Sequence, residues 1–136
     1  MTPQFIDTSY LIAVEMADDQ KHAAASRHWR DLLKTRSSTL VTSSYVLVEV
    51  VAYLNNRRLH SKAVELGNNL LNSRSINLIH VDKELLYEAW GYFQKHKDKS
   101  YSLTDCISFV LMTRLEIVEA LTFDKHFEQA GFMKLP

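Results

Sequence analysis

Short β-branched or apolar runs alternate with helix-length stretches along this whole chain, and no other feature limits its possible folds as sharply. Residues 2–6 read as a first strand, 39–42 as a second, 76–81 as a third and 118–122 as a fourth, with 132–135 available as an edge strand. Helical patterns occupy 8–16, 21–35, 60–73, 83–96 and 102–115, and a last short helix starts at Asp124. The Val-rich stretch from Tyr45 to Leu54 is ambiguous by propensity. Its length and its Val46, Val50, Leu54 series favour a buried helix, begun by the Ser43-Ser44 start signal. Trp29, Leu32 and Leu33 form the apolar stripe of the second helix. Leu85, Leu86, Ala89, Trp90 and Phe93 are expected on the inner face of the helix that Asp82 caps. Strands alternating with helices predict an α/β architecture: a parallel sheet with helices on both faces. Ligands of such sheets bind beyond the carboxyl ends of the strands.

At 136 residues, with no repeat or linker, the chain reads as one domain, 1–136. A lone cysteine, Cys106, excludes an intrachain disulfide framework and any Cys-rich zinc module, and its apolar setting marks it as packing. No apolar run reaches the ~18 residues of a membrane span, and no signal peptide is evident at the N-terminus. A cytoplasmic location is the expectation. Gly-rich phosphate loops are missing, which excludes the usual nucleotide-binding motifs.

Four carboxylates carry the functional argument. Asp7, Asp105 and Asp124 each stand where a helix begins, so each has a plain reading as a cap. Ser102-Leu103-Thr104-Asp105 matches the capping-box pattern. Glu49 has no such reading, because it lies in mid-helix among Val and Tyr. A carboxylate there faces solvent at a helix edge, is held by an Arg or Lys, or binds a cation. Oxygen ligands select hard cations such as Mg²⁺ or Mn²⁺, which activate water and stabilise phosphoryl oxygens.

Phe5-Ile6-Asp7-Thr8-Ser9-Tyr10-Leu11, the isolated Glu49, Leu103-Thr104-Asp105-Cys106-Ile107-Ser108-Phe109 and Leu121-Thr122-Phe123-Asp124-Lys125-His126-Phe127 together resemble the PIN-domain family. The likeness covers essentially the full chain and is strongest to the VapC-type toxins of VapBC toxin–antitoxin pairs. It implies a three-layer fold with a central, mostly parallel four- or five-stranded sheet flanked by helices. It further implies a metal-dependent endoribonuclease that uses Mg²⁺ or Mn²⁺. The acidic site would be Asp7, Glu49, Asp105 and Asp124, with Ser9 and Thr104 as supporting hydroxyls. A cognate antitoxin and a homodimer are the implied protein partners. Two alternatives stay open: a PIN-type RNA-processing or DNA-directed nuclease without an antitoxin, and a non-catalytic binding module whose Asp residues are only caps.

Net charge is zero, but the charge is unevenly spread. Residues 21–62 carry Lys21, Arg27, Arg30, Lys34, Arg36, Arg57, Arg58 and Lys62 against Asp31 and Glu49. Such a stretch is either a set of solvated helix faces or a surface for phosphates, for which Arg27, Arg30, Arg57 and Arg58 are the candidates. The six His show no zinc spacing, and His126, two residues after Asp124, reads first as a surface residue and second as a substrate contact. Tyr53, Leu54, Leu59, Leu66 and Leu70 are expected to leave apolar surface for a partner chain.

Overall fold

The computed structural model describes residues 2–35 and 38–136. Arg36 therefore lies outside the described residues. Five strands form one sheet: β1 (Thr2–Ile6), β2 (Ser38–Ser43), β3 (Ile76–Ile79), β4 (Glu119–Leu121) and β5 (Met133–Leu135). Their order is β3-β2-β1-β4-β5, and every pairing is parallel. Buried parallel strands need apolar side chains on both faces, and Phe5, Ile6, Leu40, Val41, Ala120 and Leu121 supply them. β1 is central, and the strand order reverses between β1 and β4. That reversal opens a crevice at the carboxyl ends of these two strands, where open α/β sheets bind ligands.

Helices α1 (Thr8–Glu15), α2 (His22–Thr35), α3 (Ser44–Asn56), α4 (His60–Asn72), α5 (Lys83–Lys95), α6 (Leu103–Arg114) and α7 (His126–Gln129) connect the strands. α3 is the buried helix its spacing predicted, with Val46, Val50 and Leu54 fully buried. α6 is apolar nearly all round, and residues 105–112 are all buried. A helix of that kind belongs in a core, so its first turn is held rigidly at the sheet's carboxyl edge. After α7, Gly131 at φ +98° turns the chain into β5, a conformation that favours glycine.

Some expected faces are corrected by the structure. Trp90 is 49% exposed and Phe93 37% exposed, so neither belongs to the inner face of α5. The inward stripe is Leu85, Ala89, Tyr92 and His96, with Tyr92 and His96 stacked at 4.0 Å. Trp90 and Phe93 fall to one side of that stripe. Leu33 is also exposed. Leu54, Leu66 and Leu70 are core residues, not interface residues. The apolar surface left open by α3 and α4 is instead Val48, Val64 and Leu71. Thr122 stands just past β4.

Candidate active site

Four chain segments meet at the carboxyl edge of the sheet. Asp7 follows β1, Glu49 lies in the second turn of α3, Asp105 in the first turn of α6, and Asp124 just after β4. All four line one depression of about 350 Å³, together with Thr8, Ser9, Ser102 and His126. Two of the capping readings are also correct: Asp7 is the N-cap of α1, and Ser102 and Asp105 form a full capping box. The N-cap of α7 is Lys125, and Asp124, one residue before it, accepts the His126 amide at Oδ1 (2.9 Å). Caps and site coincide because helix N-termini converge where the strands end.

Asp7 is 4% exposed. Its Oδ2 accepts hydrogen bonds from the Ser9 hydroxyl (2.8 Å) and the Thr122 hydroxyl (2.8 Å). Burial pushes the Asp7 carboxyl up to about 6, against the pull of those two hydroxyls, and the nearby Asp105 charge raises it further. Burial also raises Asp105, with Asp124 adding to the rise. The Ser102 amide and His126 act the other way. In both acids burial is the first cause of the rise and a neighbouring carboxylate a lesser one.

Glu49 is half-buried, and its Oε1 accepts a 2.6 Å hydrogen bond from Thr8 Oγ1. This hydroxyl is a partner additional to the solvent, basic residue or cation that the sequence suggests. Thr8 was not anticipated; its position directly after Asp7 was the only available signal. Thr122 was missed as well, for its bond to Asp7 joins residues far apart in sequence.

His126 is corrected from surface residue to site residue. Its Nδ1 lies 3.2 Å from Asp105 Oδ2 and 3.3 Å from Asp124 Oδ1. The Tyr101 ring meets it edge-on at 5.3 Å. Ligand atoms of Asp105, Asp124 and His126 all fall within 4.8 Å of one another. Two carboxylate oxygens and an imidazole nitrogen at that spacing, beside the buried Asp7, fit a divalent cation.

The other expected residues stand apart. Thr104 is half-buried beside Asp105 but does not line the depression. Neither do Arg27, Arg30, Arg57 and Arg58. Arg57 and Arg58 follow the C-terminal end of α3, about 12 Å along the helix axis from Glu49 at 1.5 Å per residue. Arg57 covers the Tyr53 ring at 3.4 Å.

A parallel five-stranded sheet with four acids at its switch point defines an α/β class with a candidate cation site at the strand ends. The PIN-domain family model matches residues 5–133, and the chain belongs to that family. It is 34% identical over 131 residues to the 23S rRNA-specific endonuclease VapC20 of Mycobacterium tuberculosis, covering 96% of each chain. The crystal structure of that protein, described as a sarcin-ricin loop cleaving toxin, superposes with a TM-score of 0.87 at 32% identity. That match covers 97% of this chain and 98% of the other. VapBC2 from Rickettsia felis, solved on a promoter DNA fragment, matches with a TM-score of 0.69 at 14% identity over 98% of both chains, a likeness of fold.

Proposed function

We propose that this chain is a divalent-metal-dependent endoribonuclease and the toxin of a toxin–antitoxin pair, with structured ribosomal RNA as its substrate class. The observation that carries the reading is the convergence of Asp7, Glu49, Asp105 and Asp124 from four segments on one depression. The full-length likeness to VapC20 supports the RNA substrate and the toxin role.

In this reading Asp7, Glu49, Asp105 and Asp124 hold Mg²⁺ or Mn²⁺ and are the catalytic acids. When bound, the ion lowers the pKa of water and neutralises charge on phosphoryl oxygens. The protein's own groups prepare the place. Ser9 and Thr122 hold Asp7, Thr8 orients Glu49, and the Ser102 amide with His126 holds Asp105. The N-termini of α1 and α6 add partial positive charge toward the scissile phosphate. Water adds to phosphorus and one P–O ester bond breaks.

The activity is assigned to one domain, 1–136, and the cytoplasm, where RNA and ribosomes reside, is its place of action. Among the described residues, no helix is long and apolar enough to cross a membrane. The antitoxin and a second copy of the chain are the protein partners, and the exposed Val48, Val64 and Leu71 offer apolar surface for one of them.

The test is cleavage of ribosomes and purified rRNA, with RNA ends mapped. Cleavage should require Mg²⁺ or Mn²⁺ and stop in excess EDTA. Asp7→Asn and Asp105→Asn should each lower the rate at least ~100-fold. Undiminished activity in EDTA overturns the metal mechanism. Intact RNA under all metal conditions overturns the nuclease reading.

A further inference from the structure

A second depression, of about 430 Å³, adjoins the acidic one. Trp90, Phe93, Lys97, Lys99, Ser100 and Tyr101 line it, and Ser100 lines the acidic depression too. Trp90 and Phe93 stack on each other, with centroids 5.5 Å apart and planes 19° from parallel. Both are exposed, although the physics of folding would bury rings of this size. The stripe Leu85, Ala89, Tyr92, His96 takes the core contacts and leaves these two rings beside it. A chain of ring contacts then leads from this end of α5 to the acids: Tyr92 to His96 at 4.0 Å, His96 to Tyr101 at 6.0 Å, and Tyr101 to His126 at 5.3 Å. His126 contacts Asp105 and Asp124 directly.

We infer that the Trp90–Phe93 platform is a base-stacking subsite for an unpaired nucleotide flanking the scissile phosphate, with Lys97 on its phosphate. The inference rests on the nuclease reading and deepens it by naming how substrate is held. RNA loops are recognised by splaying bases onto exposed aromatic faces beside basic side chains, and this depression offers both. Lys97 and Lys99 are exposed on its rim. Asp98 lies 4.0 Å from Lys99 and offsets part of its charge, so Lys97 is the better phosphate contact. Because Ser100 lines both depressions, a strand seated on the platform has the acidic depression as its neighbour. Arg27, Arg30, Arg57 and Arg58 lack that continuity, since none lines either depression. A second protein chain would also value exposed aromatic rings, but the flanking lysines and the shared wall with the acidic depression favour RNA.

The experiment compares wild type, Trp90→Ala, Trp90→Tyr and Lys97→Ala on two substrates. One is an RNA loop or ribosomal substrate that the wild type cleaves; the other is an abasic ribodinucleotide, a small diester with neither base nor aromatic ring. Trp90→Ala should lower kcat/KM for RNA by about 5- to 100-fold, chiefly through KM, the range expected for one lost base stack. Trp90→Tyr should restore most of it, and Lys97→Ala should weaken the salt dependence of RNA binding. Hydrolysis of the small diester and the melting temperature should not move. Equal RNA cleavage by wild type and Trp90→Ala overturns the subsite while leaving the nuclease reading intact. A change in molecular mass by light scattering, without a change in RNA affinity, also overturns it and makes the platform a protein interface. A wild type that cleaves neither substrate refutes the underlying nuclease reading instead.

Discussion

Thr8 Oγ1 donates a 2.6 Å hydrogen bond to Glu49 Oε1, tying the first turn of α1 to the middle of α3. Adjacent residues thus serve different acids, because Ser9 Oγ donates to Asp7 at 2.8 Å. Backbone geometry explains the division: side chains next to each other in a first helical turn point about 100° apart.

Replacing Thr8 by Val keeps the shape and removes the donor. Hydrogen bonds to charged groups contribute about 1.5–3 kcal/mol, so RNA cleavage should fall roughly 10- to 100-fold. Thr8→Ser should retain most activity. Cleavage rates of the three proteins under saturating metal decide the matter, and equal rates would show that Glu49 needs no positioning.

Removal of His126 exposes the mutual repulsion of Asp105 and Asp124. His126→Ala should destabilise the metal-free protein at pH 7 by about 1 kcal/mol, within the ordinary range for one side chain. With excess Mn²⁺ the gap to wild type should narrow, since an ion between Asp105 and Asp124 would take over the contacts that His126 makes with both. Melting curves with EDTA and with Mn²⁺ measure both effects. A gap that persists unchanged in Mn²⁺ would make His126 a packing residue alone.

Metal-free stability should depend on pH through Asp7. Its folded pKa is raised from 3.8 to about 6, so the native state holds the proton more tightly than the unfolded chain. The favourable contribution is full below about 4 and is lost as pH rises through about 6, on the order of 2–3 kcal/mol. Asp105 is shifted in the same direction by burial. Denaturant unfolding in EDTA across pH 4–7 should show wild type losing stability relative to Asp7→Asn as pH rises. Parallel curves for the two proteins would remove Asp7 as the cause.

Metal binding should oppose that trend. Cation ligation needs the ionised carboxylates, so the rise in melting temperature on adding Mn²⁺ should be large at pH 7.5 and small at pH 5. Asp105→Asn should reduce it at both. Calorimetric titration of the folded protein gives the same answer without heating, and pH-independent binding would place the ion away from these acids.

Features encoded by neighbouring residues are legible in the sequence, and those made by distant residues are not. Strand and helix periods, the Ser43 and Asp82 caps and the Ser102–Asp105 capping box are local, and each is present where its short window indicated. Glu49 was legible because a carboxylate inside an apolar helix is conspicuous without any contact map. The faces of α5 were misjudged because Trp90 and Phe93 satisfy an inward spacing almost as well as Tyr92 and His96 do. Hydrophobicity alone does not choose between two neighbouring stripes; the position of α6 against α5 does.

By itself, the sequence determined the alternation of strands and helices, the four acids with their flanking hydroxyls, and the capping of the helix starts. These depend on residues within one or two turns of one another. Tertiary structure decided the rest. The order β3-β2-β1-β4-β5 puts the end of β1 beside the end of β4, and so brings Thr122 Oγ1 within 2.8 Å of Asp7 across 115 residues of chain. The same juxtaposition places His126 between two acids and turns caps into a charged depression. Burial, which raises Asp7 and Asp105, is likewise a property of packed layers and has no local code. Long-range strand order and desolvation arise only when the sheet is assembled, which is why the chemistry of this site became visible there.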